Sequence, residues 1–134
     1  MNNEFEFIPY EQAMALKELG FNEPCIYYFV TKNFSEPIGV NGRVSLTATN
    51  KDTFDKMLCT APLWQQAFKW FRTKHDLPSW IESYPGESYH YQIRDGYKED
   101  SFQNYHFDVN STSQEEAELA CLKKLIEIVK NKKP

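Results

Sequence analysis

Between residues 61 and 131 the spacing of apolar residues changes twice. It is close to about 3.6 over 61–75, falls to two over 79–109, and returns to about 3.6 over 114–131. One stretch cannot satisfy both periods, so this half of the chain must fold as helix, strands, helix. In the first helix, Leu63, Trp64, Ala67, Phe68, Trp70 and Phe71 fill an arc of about 160° at helical spacing. Gln65, Lys69, Arg72 and Asp76 lie opposite. Thr60 is placed to cap this helix, Pro62 suits its first turn, and Pro78 ends it.

The strands follow. Pro85-Gly86-Glu87 separates 79–84 from 88–94 and reads as a hairpin turn. Tyr89, Tyr91 and Ile93 share one face, and His90, Gln92 and Arg94 the other. A third strand is expected over 104–109, where Tyr105, Phe107 and Val109 alternate with His106 and Asp108. The pattern predicts that Tyr89, Tyr91, Ile93, Tyr105 and Phe107 all face the helices. The last helix has the clearest start: Ser113 with Glu116 forms a capping box. Ala117, Cys121, Leu122, Leu125, Ile128 and Val129 then make a broad apolar stripe. Lys123, Lys124, Lys130, Lys132 and Lys133 suit the negative end of that helix.

The first half is read more coarsely. Residues 1–9 are an extended lead-in with Phe5 and Phe7 on one face. A helix is expected over 10–19, with Gly20 at C′ and Phe21 closing onto Leu16. After Glu23-Pro24, residues 25–30 form a buried strand rich in aromatic and β-branched side chains. Turn chemistry dominates from Asn33 to Gly42. A second strand is expected over 43–49, paired with 25–30, and one helical turn over 52–57. The predicted order is α-β-β-α-β-β-β-α. It describes an α+β fold in a single domain, 1–134, with an antiparallel sheet and helices packed on one face. Segment 61–131 has the α-β-β-β-α order of a double-stranded-RNA-binding domain, but its last helix opens Gln114-Glu115-Glu116, which repels phosphate.

Three stretches carry a resemblance: Tyr10-Glu-Gln-Ala-Met-Ala onward to Cys25, Ala61-Pro-Leu-Trp-Gln-Gln onward to Arg72, and Glu115-Glu-Ala-Glu-Leu-Ala onward to Ile126. In this order they resemble a group of short uncharacterised proteins from phages, prophages and mobile elements of Bacteroides-type gut bacteria. Residues 32–57 and 79–112 match that group poorly. The resemblance implies a phage-borne or integrated gene acting inside a bacterial cytoplasm, and it carries no activity or site residue.

Charge and motif content narrow the function classes. The net charge of −4 argues against nucleic-acid binding, which needs excess cation, and is too small for a phosphate mimic. There is no apolar run of the roughly 18–20 residues that a membrane span needs. The start, Met1 to Glu6, is acidic and lacks a basic-then-apolar leader, so a cytoplasmic location is expected. The three cysteines contain no CxxC pair. No GxGxxG, GxxxxGK[ST] or GxSxG motif occurs.

His90, His106 and Asp108 could in principle gather as metal ligands, and Cys59 could meet His75 or His106 as a thiol nucleophile. Neither set has a supporting signature, so solvated strand residues and a core thiol are the expected roles. No catalytic residue, metal or cofactor is assigned. The aromatic surplus says more, because Trp80, Tyr84, Tyr97 and Phe102 flank turns and an acidic loop. Rings in such places serve interfaces. These four are the expected binding residues, and the expected function is a non-enzymatic interaction protein meeting a host or phage protein. The alternative is an aromatic pocket for a small nucleotide-like ligand, with Trp80 or Tyr84 stacking and Arg94 or Lys69 supplying charge.

Overall fold

A computed structural model describes residues 7–30, 33–39, 47–52, 57–84, 88–94, 105–107, 111 and 113–132. The elements run α1 (Tyr10–Glu18), β1 (Tyr27–Val30), β2 (Asn33–Gly39), β3 (Met57–Thr60), α2 (Trp64–Lys74), β4 (Ser79–Tyr84), β5 (Ser88–Arg94), β6 (Tyr105–Phe107) and α3 (Gln114–Lys132). The fold is α+β. In place of one antiparallel sheet there are two, ordered β2-β1-β3 and β4-β5-β6. The chain divides into two compact units, Met1–Ala67 and Phe68–Pro134, with the boundary inside α2.

In the first unit, α1 ends as its sequence dictates. Leu19 is the C-cap, Gly20 takes φ 100°, and Phe21 N–H donates to the Leu16 carbonyl at 2.9 Å. Gly20 N–H donates to Lys17 at 3.0 Å, completing a Schellman motif. Strand β1 is buried on both faces. Tyr28 and Val30 pack with Ala48 and Met57, while Phe29 meets Phe7 and Tyr10 at ring-centroid distances of 6.3 and 5.4 Å. This explains the unbroken apolar run at 28–30, which alternation alone would not produce.

Both edges of β1 are filled, by β2 and by β3, each antiparallel and each with a register shift. The places beside β1 expected for a strand at 43–49 are therefore taken by β2 and β3. Of that stretch, Ala48 makes an isolated bridge to Cys25, and 43–46 lie outside the described residues. Of the expected helical turn at 52–57, residues 53–56 lie outside the described residues; Met57 opens β3, and a turn sits at 49–52. There Asp52 N–H donates to the Thr49 carbonyl at 3.0 Å, and Thr49 N–H donates to Asp52 Oδ2 at 2.8 Å. Phe5 lies outside the described residues.

Helix α2 begins differently from expectation. Thr60 belongs to β3, and the free N–H of Leu63 is taken instead by Gln66 Oε1 at 3.0 Å. A glutamine three residues into the helix reaches back over its own first turn, which is half of a capping box. Gln66 Nε2 then donates to the Pro24 carbonyl at 2.8 Å.

In the second unit, α2 closes on a small ring cluster. His75 lies 4.7 Å from Trp70 and 5.9 Å from Phe71 between ring centroids. Asp76 follows with φ 53°, left-handed backbone that a Cβ disfavours. Asp76 is exposed, so Asp76→Gly should stabilise the fold by about 0.5–1 kcal/mol, read as a higher urea midpoint at unchanged slope.

β4 and β5 pair without interruption from Ser79↔Ile93 to Tyr84↔Ser88. Residues 85–87, the expected turn, lie outside the described residues. α3 packs across β4 and β5, burying Ala117, Cys121, Leu122, Leu125, Ile126, Ile128 and Val129. Its start is capped as expected, with Glu116 N–H donating to Ser113 Oγ at 3.1 Å. Tyr91 and Ile93 are buried on this side, and Tyr89 is half-buried.

β6 departs from expectation in register. It pairs Ile93 with His106, Gln92 with Phe107 and Arg94 with Tyr105. Opposed residues of an antiparallel pair share a face. Positions 105 and 107 therefore fall on the Gln92 and Arg94 face, and not with Tyr91 and Ile93.

Candidate interaction surface

The register of the second sheet sorts its residues cleanly. Ser79, Ile81, Ser83, Tyr89, Tyr91 and Ile93 share the α3 face. Trp80, Glu82, Ser88, His90, Gln92 and Arg94 lie on the other, which we call the outer face. Trp80 stands opposite Gln92 and is 38% exposed; it and Ile26 are the exposed large apolar residues among those described. Its indole Nε1–H donates to Glu82 Oε1 at 2.9 Å, a contact between neighbours two apart on one face of a strand. Glu82 stands opposite His90, and His90 Nε2 lies 3.2 Å from Ser88 Oγ. The outer face thus carries an aromatic plate, a carboxylate, an imidazole and a guanidinium along two neighbouring strands.

The four expected binding residues are distributed unevenly. Trp80 is near the start of β4 and Tyr84 at its end, so their backbones are about 13 Å apart on one face. Tyr97 and Phe102 lie outside the described residues. The turn at 85–87 follows β4, and the loop after Arg94 follows β5. They leave from opposite ends, because successive antiparallel connections alternate ends. Trp80 belongs to the Arg94 end and is not at the hairpin tip. Of the charged groups considered for a small ligand, Arg94 is a diagonal neighbour of Trp80, while Lys69 is on the exposed side of α2.

The metal constellation does not gather among the described residues. His90 is on the outer face, whereas position 106 pairs with Ile93 on the α3 face; Asp108 lies outside the described residues. Among the described residues no group of three or more His, Cys, Asp and Glu gathers as a metal site would. All three thiols are buried. Burial pushes Cys59 up to about 12, with Lys17 pulling it down and Cys25 adding to the rise. Cys25 rises to about 11 by burial, against a hydrogen bond from Thr60. Cys121 rises to about 12 by burial, against one from Ser79. A nucleophilic cysteine needs the opposite shift.

Comparison with protein-family models, curated proteins and solved structures finds no match. No helix among the described residues is long and apolar enough to cross a membrane.

Two features escaped the sequence reading. Asn50 Oδ1 accepts from Thr60 N–H at 2.8 Å and from Thr60 Oγ1 at 3.2 Å, and its Nδ2 donates to the Phe21 carbonyl at 2.7 Å. Lys17 Nζ donates to the Leu58 carbonyl at 2.6 Å. No local signal marks contacts to partners so distant in sequence.

Proposed function

We propose that this chain is a non-enzymatic interaction protein of the phage or mobile-element kind its sequence resembles. In this reading it acts in a bacterial cytoplasm as a regulator or anti-defence factor and meets a host or phage protein with the outer face of its second sheet. The observation that carries the reading is Trp80, a large ring left partly exposed on a strand and held in place by Glu82. A ring already fixed by a hydrogen bond loses little rotamer freedom on binding, which is what an interface anchor needs. The thiols, buried and pushed up, support a role without covalent catalysis. Glu82 sets an anion beside the ring, which repels phosphate, so a protein surface with basic groups fits this face better.

The test begins with capture of the partner from host lysate and continues with titration of the purified pair. Trp80→Ala should weaken binding by about 2 kcal/mol, near thirtyfold, with circular dichroism unchanged. Equal affinity for wild type and variant would place the contact elsewhere.

A further inference from the structure

A sheet edge is an open row of donors and acceptors, and proteins guard it with short strands, proline, bulges or covering side chains. Three edges here are guarded. β6 has three residues. β2 contains Pro37 and pairs with a register shift. β3 has four residues, and its outward groups are taken by side chains: Asn50 accepts from Thr60 N–H, and Lys17 donates to the Leu58 carbonyl. β4 differs. It has six residues, no proline, no lysine and no register shift.

Which groups of β4 point outward follows from two bonds. Arg94 N–H donates to the Pro78 carbonyl at 2.9 Å, so 78 and 94 are a hydrogen-bonded pair, and the pairing alternates from there. On the far side of β5, Tyr89 N–H donates to the Ser111 carbonyl at 3.0 Å, which sets the same alternation. The N–H and C=O of Ser79, Ile81 and Ser83 therefore point away from β5. No backbone hydrogen bond satisfies them among the described residues. Backbone groups buried without a partner are rare, so this row faces solvent or a partner.

The geometry points to a second copy of this chain as the occupant, with two β4 strands pairing antiparallel about a two-fold axis at Ile81. The strand is self-complementary in that register alone. Ile81 pairs with itself and Ser79 with Ser83 of the second copy, so every outward N–H and C=O of these residues is used on both strands. Trp80 then stands opposite Glu82 of the second copy, at the closer type of antiparallel pair, so ring and carboxylate alternate across the axis and no two carboxylates face each other. A register shifted by two residues toward the turn would set Glu82 against Glu82 and leave outward groups unused. The α3 faces of both copies remain on one side, and the result is a continuous six-stranded sheet. This inference rests on the backbone edge, not on the proposed partner of the outer face.

Sedimentation over a wide concentration range tests it. The wild type should reach the mass of two chains. Ser83→Pro and Ser83→Lys should stay at one, because Ser83 is exposed and its N–H takes no part in the β4–β5 ladder. Circular dichroism verifies their folding. Under mild oxidation Ile81→Cys should cross-link to itself, Ser83→Cys should not, and Ser83→Cys mixed with Ser79→Cys should. A wild type that remains a single chain at every concentration overturns the inference. So does a folded Ser83→Pro chain that still dimerises, or a dimer in which Ser83→Cys cross-links to itself and Ile81→Cys does not. Trp80→Ala titrations against the captured partner are read separately, so either result can fail alone.

Discussion

Asn50→Ala should destabilise the protein by about 3 kcal/mol, measured by urea unfolding. The side chain joins groups that lie 10 and 29 residues away in sequence. It accepts from the backbone N–H and hydroxyl of fully buried Thr60 and donates to the Phe21 carbonyl. Truncation removes the acceptor of the buried Thr60 N–H, which costs about 1–3 kcal/mol, softened where water can enter, and takes one bond each from the Thr60 hydroxyl and the Phe21 carbonyl. Asn50→Asp separates the two roles. It keeps acceptors for Thr60 but presents an oxygen to the Phe21 carbonyl, so its loss should be smaller than that of the alanine variant. Equal stability of Asn50→Ala and wild type would show that this residue does not tie the unit together.

The second large effect is alkaline. Each thiol has a raised folded value, so the native state holds its proton more tightly than the unfolded chain. Stability is then complete below the ordinary thiol value of 9.0 and falls as pH rises toward the folded values, about 11 for Cys25 and about 12 for Cys121. Above pH 9 the unfolded chain binds fewer protons, which gives the falling slope. For Cys121 alone the loss should be roughly 3 kcal/mol by pH 11. Other groups titrate in this range, so the readout is a difference. Urea stability of wild type and Cys121→Ala should converge between pH 8 and pH 11. Parallel profiles would mean that the thiol ionises without opposing the fold.

What could be read in the sequence was local. Ser113 with Glu116, and Gly20 with Phe21 and Leu16, form caps whose partners lie within five residues, so composition and spacing suffice to identify them. Register was not legible in this way. Period two shows that positions 105 and 107 share a face, but not which face, and a slip of one residue exchanges the two. Aromatic content argued for the α3 side, yet the β5–β6 pairing puts them on the other. The strands flanking β1 were missed for a related reason. A central strand needs a partner on each edge, and nothing in 25–30 states where along the chain they come from. Trp80 was legible as a surface ring, but its place at the Arg94 end depends on which strand ends adjoin, and that is topology.

The ties of the first unit also bear on how it is assembled. Asn50 reaches back 29 residues to Phe21, Lys17 reaches forward 41 to Leu58, and Gln66 reaches back 42 to Pro24. None can form until a long loop has closed, and closing each shortens the path for the others. As the chain leaves the ribosome, α1 emerges with its cap complete but with every distant partner still to be synthesised. The second unit holds a pairing between consecutive strands, which needs only a short loop to close. Of the two units, the one made first is therefore the one that depends most on waiting.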